Sequence, residues 1–197
     1  MKRIRLLVSI SLLMLPAFAC RDARTPDGVK ALAAEGRGMK GDGATALAVS
    51  TAAFSPGGAI PKSYACDGAD RSPEVSWSPA PAGVQSFVVI ADDPDAPRGT
   101  FTHWLVWNVP AQSRGLPKDV PKDETLRDGA RQGRNDFWHI GYDGPCPPPG
   151  KPHRYFFRLF ALDAKLDLGA GANRDELDRA KKGHVLARGE VMGVYGR

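Results

Sequence analysis

The chain has 197 residues, a length typical of one domain, and its 42% hydrophobic residues are enough to form a core. Three basic residues in the first five positions account for much of the formal charge of +5, and without them 24 basic residues stand against 22 acidic ones. Neither a run of like charges nor a basic stripe with interleaved aromatic residues occurs, which argues against nucleic-acid binding.

The first twenty residues have the pattern of an export signal. Lys2, Arg3 and Arg5 precede an apolar stretch from Leu6 to Ala19, which is short for a bilayer span but typical of a signal peptide. The stretch ends at Cys20, in a context that resembles a bacterial lipoprotein processing site. We therefore expect a signal peptide over residues 1–19 and a lipid anchor at Cys20 that holds the protein to a membrane.

The alternative to lipidation is an ordinary secreted protein that begins with an incidental Cys20. In either case the protein is exported, and we expect it in the periplasm. Arg21 follows the cysteine where an Asp would favour the inner membrane, so an anchored protein is expected at the outer membrane.

Residues 20–50 are rich in Gly, Ala and charged side chains and show no hydrophobic period. Such a segment buries too little apolar surface to offset the entropy of ordering it. We interpret it as a flexible tether that precedes a folded domain over residues 51–197.

Within the domain, three segments read as strands and one as a helix. The strands are predicted over 86–91, 102–109 and 154–162, where short apolar or aromatic runs end at Pro, Gly or Asp. Asn173 and Gly183 are the N-cap and C-terminal signals of a helix, and a last strand is predicted over 185–195. With 22 Gly and 17 Pro, the fold class is mainly β, an antiparallel β-sandwich with one or two peripheral helices near the C-terminus.

Two clusters carry residues suited to chemistry. In the first, three aspartates (Asp92, Asp93, Asp95) follow the strand ending at residue 91, and His103 comes a few residues later. In the second, a stiff Gly/Pro-rich loop over 141–152 leads to His153 and Tyr155, which share one strand face. Taken alone, the first cluster could be a solvated turn and His153 could be structural.

Together the clusters resemble the two signature blocks of the phosphatidylethanolamine-binding proteins, in particular their bacterial Raf-kinase-inhibitor-like branch. The first block is Asp93-Pro94-Asp95-Ala96-Pro97 with His103-Trp104, and the second is Gly144-Pro145-Cys146-Pro147-Pro148 with His153-Arg154-Tyr155. The resemblance covers residues 52–197.

The resemblance implies a non-catalytic binding protein with a small pocket for phosphate, phosphorylethanolamine head groups or similar anions, and it implies no cofactor. Asp93, His103 and His153 are expected to line the pocket, and the residues expected to contribute to it are Tyr142, Gly144, Pro145 and Tyr155. Imidazole nitrogens can donate to phosphate oxygens, and Asp93 can orient one ring.

Other functions remain open on the sequence. The Asp/His/His cluster could serve a hydrolase or hold a metal ion in an enzyme, although no recognised catalytic motif is present. An extracytoplasmic protease inhibitor, or a modulator of another partner protein, is a further alternative, and a homodimer is compatible with the sequence. His139 and His184 are interpreted as structural residues.

If Cys20 carries lipid, the remaining cysteines are Cys66 and Cys146. An exported protein meets an oxidising compartment, so we expect a disulfide between them that fastens the Pro-rich loop to the N-terminal part of the domain. The alternative is two free thiols.

Overall fold

The computed structural model describes residues 44–197. The expected signal peptide, Cys20 and the greater part of the expected tether lie outside these residues. The described chain forms nine strands and one α-helix: β1 (Thr45–Ala46), β2 (Val49–Ser50), β3 (Val75–Trp77), β4 (Ser86–Asp93), β5 (Phe101–Pro110), β6 (Gly115–Leu116), β7 (Arg131–Gln132), β8 (His153–Leu162), α1 (Arg174–Lys181) and β9 (Val185–Tyr195). A single 3₁₀ turn spans Lys62–Tyr64.

The strands form two sheets. The larger has the order β1-β9-β8-β4-β5-β7 and is antiparallel except for the parallel pair of β1 and β9. The smaller has the order β2-β3-β6 and is antiparallel. This arrangement confirms the mainly β class, and the predicted strands extend by only one or two residues beyond their expected ends.

The predicted tether over residues 20–50 extends too far toward the C-terminus. Thr45–Ala46 pairs with β9 and Val49–Ser50 pairs with β3, so the end of the range 20–50 belongs to the two sheets. These segments are only two residues long and largely exposed, and their order comes from pairing with distant strands rather than from their own sequence.

Strand β4 lies at the centre of the fold, and all eight of its residues are buried. Phe87 and Val89 pack into the core that β3 and β6 cover, whereas Val88 and Ile90 pack into a second core that includes Leu177 of α1. Because side chains alternate along a strand, a strand buried on both faces reads as a continuous apolar run.

Helix α1 begins and ends close to the expected residues. Asn173 accepts a hydrogen bond from the Glu176 backbone, and the Glu176 carboxylate accepts one from the Asn173 backbone, which completes a capping box. Leu177 faces the second core and is fully buried. No helix within residues 44–197 has the length and apolarity needed to cross a membrane.

The alternation of side chains also separates two adjacent aspartates at the end of β4. Asp92 is bound by Arg158 of β8 at 2.5 Å and by Arg174 of α1 at 3.1 Å, and so ties the helix to the sheet. Asp93 projects from the other face, toward the candidate site.

Candidate functional site

A cavity of about 710 Å³ opens where β4 ends and β8 begins. Asp93, His103 and His153 all line it, although ten and fifty residues separate them along the chain. All three are buried by at least nine-tenths, so the cavity brings three ionisable side chains into a poorly solvated place.

Asp93 and His153 form a hydrogen-bonded pair. The Nδ1 atom of His153 lies 2.8 Å from Oδ2 of Asp93. The last residue of β4 and the first residue of β8 come together because the two strands are adjacent and antiparallel. A carboxylate accepts but does not donate, so the proton between them belongs to the imidazole. Asp93 therefore orients this ring, as the sequence suggested for one of the two.

His103 owes its position to a β-bulge. Ala91 of β4 pairs with Trp104, but the next residue, Asp92, pairs with Thr102, so His103 is the extra residue on β5. A bulge can re-aim a side chain that strict alternation would send to the other face. No pattern in the sequence predicted this bulge.

Three aromatic rings enclose the His103 imidazole. The ring centroids of Phe101, Phe137 and Tyr155 lie 5.2, 5.5 and 5.3 Å from it. Burial lowers the pKa of His103 below its ordinary value, although the carbonyl of Asp143 and the charge of Asp93 oppose the change. At neutral pH His103 is therefore uncharged.

The backbone of Asp143 fixes the His103 ring. Nδ1 of His103 lies 2.7 Å from the carbonyl oxygen of Asp143. The Asp143 carboxylate is held by Lys122 at 2.7 Å, Asn135 at 2.6 Å and His139 at 2.9 Å. Asp143 thus supports the site from behind, and His139 is one of its supports.

The Pro-rich loop after Asp143 forms another wall of the cavity through Cys146, Pro147 and Pro148. Cys146 is joined to Cys66 in a disulfide, as predicted. The backbone N–H of Cys66 also donates to the carbonyl of Pro145 at 3.1 Å. These links fasten the loop to the N-terminal part of the domain.

Comparison with known proteins agrees with this architecture. Residues 50–196 match the family model "Phosphatidylethanolamine-binding protein". The chain belongs to the phosphatidylethanolamine-binding protein family. Members of this family are in general ligand-binding proteins rather than enzymes, and the family binds phospholipid-type ligands.

The chain is similar to individual proteins from prokaryotes. It is 47% identical over 157 residues to a UPF0098 protein of Aquifex aeolicus and 48% identical over 147 residues to one of Methanothermobacter thermautotrophicus. These matches cover 79% and 75% of this chain and 91% and 97% of the relatives.

Two solved structures have the same fold. One is E. coli YbcL, described as a new member of the mammalian phosphatidylethanolamine-binding protein family, with a TM-score of 0.72 and 35% identity over 77% of this chain and 98% of YbcL. The other is a putative homologue from Chlamydia trachomatis, with a TM-score of 0.70 and 36% identity over 78% of this chain and 99% of that one.

Four residues that the family resemblance assigned to the pocket lie behind its lining. Tyr142 is buried in the core, where its hydroxyl donates to the carbonyl of Tyr64 at 2.8 Å. The backbone of Gly144 donates to the Asp70 carboxylate, and the carbonyl of Pro145 accepts from Cys66. These contacts hold the loop in place, so the three residues support the cavity wall rather than form its surface.

Tyr155 is the fourth of these residues and lies nearer to the pocket. Its ring packs edge-on against His103, and its hydroxyl is buried without a hydrogen-bond partner among the described residues. Burial, and then the negative charge of Asp93, raise the pKa of Tyr155 well above its ordinary value. Tyr155 therefore stays a neutral donor at any physiological pH.

Other pocket residues were not predicted as site residues from the sequence. Phe101 lies two residues before His103 on the same strand and could have been found from that spacing, whereas Phe137 and Arg197 come from distant segments. Arg197 reaches the cavity because Tyr195 pairs with His153 at the end of β9. Its Nε donates to the carbonyl of Pro147 at 2.7 Å, which holds a guanidinium beside the pocket.

The remaining aspartate of the first signature block is not available to a ligand. Both carboxylate oxygens of Asp95 are bound by the Arg154 guanidinium, at 2.8 and 2.7 Å. Within residues 44–197, no three or more His, Cys, Asp or Glu side chains are grouped so that they could hold a metal ion.

Proposed function

We propose that this protein is a non-catalytic binding protein whose pocket receives a phosphate group, either free or in a phosphorylethanolamine-type head group. The observation that carries the proposal is the convergence of Asp93, His103 and His153 on one buried cavity. Membership of a family that binds phospholipid-type ligands supports it.

The charges around the cavity suit a phosphate. Arg98 and Arg197 line it, and an arginine fork is well matched to phosphate oxygens. His153 adds an imidazole to the lining, and Asp93 holds that ring through their 2.8 Å contact. The hydroxyl of Tyr155 is a further donor close to Asp93, on a ring that packs edge-on against His103.

Another part of the cavity lining suits an ammonium group. Asp136 lines the cavity beside Phe101 and Phe137, whose ring centroids are 4.7 Å apart. A carboxylate with adjacent aromatic faces can attract a cation by charge and by cation–π interaction. Asp136, rather than Asp95, would bind the ammonium group, because Asp95 is bound by Arg154.

Calorimetric titration with phosphate and with phosphorylethanolamine tests the proposal. His153→Ala should weaken binding about ten- to a hundred-fold, because hydrogen bonds to charged groups contribute about 1.5–3 kcal/mol each. Asp93→Asn should weaken binding less, because Asp93 holds the ring rather than the anion.

His184→Ala is the matched control for these variants. His184 contacts Asp163 at 2.8 Å and does not line the cavity, so its loss should leave the affinity unchanged. Equal affinities of wild type and His153→Ala would contradict the proposed site, and a wild type that binds neither compound would contradict the proposed function.

We further propose that the protein is exported and anchored by lipid at Cys20, with the outer membrane as its location. The sequence of residues 1–20 supports export, and the Cys66–Cys146 disulfide fits an oxidising compartment. Mass spectrometry of the mature N-terminal peptide provides the test. The expected result is a peptide that begins with acylated Cys20, and an unmodified Cys20 would refute the anchor.

A further inference from the structure

One large apolar side chain is exposed beside the candidate site. Trp138 is 77% exposed, and no other large hydrophobic side chain among residues 44–197 is exposed. It lines a cleft of about 330 Å³ that shares Thr100 and Asp136 with the cavity of the candidate site. Both shared residues are exposed, and the residue before Trp138, Phe137, lines the cavity itself. Trp138 therefore lies at the rim of the cavity.

The turn that carries Trp138 holds it in an unusual conformation. Its φ is 69°, in the left-handed region that bulky residues rarely adopt. The side-chain oxygen of the buried Asn135 accepts from the backbone N–H groups of Phe137 at 2.9 Å and His139 at 3.2 Å. The backbone carbonyl of Asn135 accepts from the N–H of Trp138 at 3.0 Å. Strained backbone persists only where its surroundings hold it, so the exposure of Trp138 is built into the turn.

A guanidinium accompanies the exposed indole. The Cζ atom of Arg134 lies 5.3 Å from the centroid of the Trp138 ring, within the range of a cation–π contact. Arg134 is exposed, and its side chain forms no ion pair within the described part of the chain. Asp136 and Asp175 line the same cleft, so the surface carries both signs of charge. Such a surface matches a zwitterionic head group, in which a phosphate and an ammonium lie side by side.

The surface suits a lipid bilayer better than a protein partner. A standard protein interface buries about 1,600 Å² around an apolar core in which aromatic residues gather. One exposed aromatic side chain does not make such a core. A bilayer needs less, because a Trp ring lies at the level of the head groups and basic side chains meet the lipid phosphates.

We propose that the rim formed by Trp138 and Arg134 docks the protein on a phospholipid bilayer, with the indole at the level of the head groups and the cavity facing the lipid. This inference rests on the proposed function, because a head group that is still in the bilayer enters only a cavity that faces it. The binding of phospholipid-type ligands by the family supports this orientation.

Vesicles of phosphatidylethanolamine and phosphatidylglycerol test the docking. The mature chain from residue 20 carries Cys20→Ser, so that no lipid anchor contributes. Trp138→Gly should lower the vesicle partition coefficient about tenfold, because it removes a large apolar side chain from the interface. Glycine also suits the positive φ at this position, so the turn is kept. Trp138→Tyr should keep most of the affinity, since tyrosine also favours the interface.

A matched pair of arginine variants locates the surface. Arg134→Gln should lower the partition coefficient about fivefold, the effect of one basic side chain at an anionic membrane surface. Arg114→Gln is the control and should keep the wild-type value. Arg114 is also exposed, but it follows the far end of β5, whose ten residues span roughly 30 Å from the cavity.

Tryptophan fluorescence reports the docking directly. The other three Trp of the chain, Trp77, Trp104 and Trp107, are buried, so vesicles reach only the indole of Trp138. Its emission should shift to shorter wavelength on docking and should be quenched by a quencher attached to the lipid head groups. Trp138→Tyr should still bind the vesicles but should lose both signals.

Calorimetric titration with soluble phosphorylethanolamine separates this inference from the proposed function. Trp138→Gly should bind that compound as wild type does, because Trp138 does not line the cavity. Equal vesicle partition of wild type and Trp138→Gly, or an emission spectrum that vesicles leave unchanged, would overturn the docking surface alone if phosphorylethanolamine still binds. A wild type that docks through Trp138 but does not bind phosphorylethanolamine would overturn the proposed function and, with it, the claim that docking presents the cavity to the lipid.

Discussion

Replacing Cys66 and Cys146 by Ser should destabilise the domain mainly by freeing the unfolded chain. The bridge joins residues 80 positions apart. For a loop of that length the chain-entropy model gives about 4.5 kcal/mol at 25 °C, which engineered bridges often do not reach. In the folded state the loop keeps its hydrogen bonds from Cys66 N–H to Pro145 and from Gly144 N–H to Asp70, so little native order is lost with the bridge.

Urea unfolding measures the effect, in a Cys20→Ser background so that Cys66 and Cys146 are the remaining thiols. With a slope of about 1–3 kcal/mol per molar urea, the double Ser variant should unfold at least about 1 M earlier. The unsubstituted pair under reducing conditions should behave like the double variant. A midpoint shift under about 0.3 M, or two reactive thiols in the unfolded and unreduced protein, would refute the reasoning.

Three further substitutions test the supports of the site. Hydrogen bonds to the Asp143 carboxylate outweigh the effect of its burial and lower its pKa below 3.8, so the carboxylate stabilises the fold above that pH and stops doing so as the pH falls through the lower folded-state pKa. In urea unfolding at pH 7 and pH 2, Asp143→Asn should therefore be less stable than wild type at pH 7 and should lose less stability between the two pH values. Gly144→Ala would put a Cβ 2.1 Å from the carbonyl oxygen of Tyr64 and should cost about 1–3 kcal/mol or more of unfolding free energy, whereas Gly169→Ala, with open space around it, should be neutral. Leu177→Ala should cost about 2–5 kcal/mol by the same assay and leave phosphate affinity unchanged, because Leu177 lies in the core under α1.

Much of the fold could be predicted because its signals are local. The apolar run of β4 and the caps of α1 lie within a few residues of the structures they specify. The short strands β1 and β2 were missed because they exist only through pairing with β9 and β3. A two-residue strand has no sequence period of its own.

The features of the site likewise divide into those that local sequence predicts and those that depend on distant strand pairing. Asp93, His103 and His153 could be named because they belong to signature blocks, and the structure gathers them at one cavity. The β-bulge that turns His103 depends on how β4 pairs with β5, and Arg197 depends on the register of β9 against β8. These are properties of strand pairing over long separations, and single-residue patterns do not encode them.

The cavity's identity as the anion site can be tested in a single spectrum. The protein has four histidines: His103 and His153 line the cavity, His139 contacts the supporting Asp143 carboxylate, and His184 lies outside the cavity and serves as the internal control. In an untagged, ¹⁵N-histidine-labelled protein titrated with phosphorylethanolamine, the Nε2 signals of His103 and His153 should shift and that of His184 should stay in place. A shift of His184 without shifts of His103 and His153, or no shift in any of the four, would contradict the assignment of the pocket.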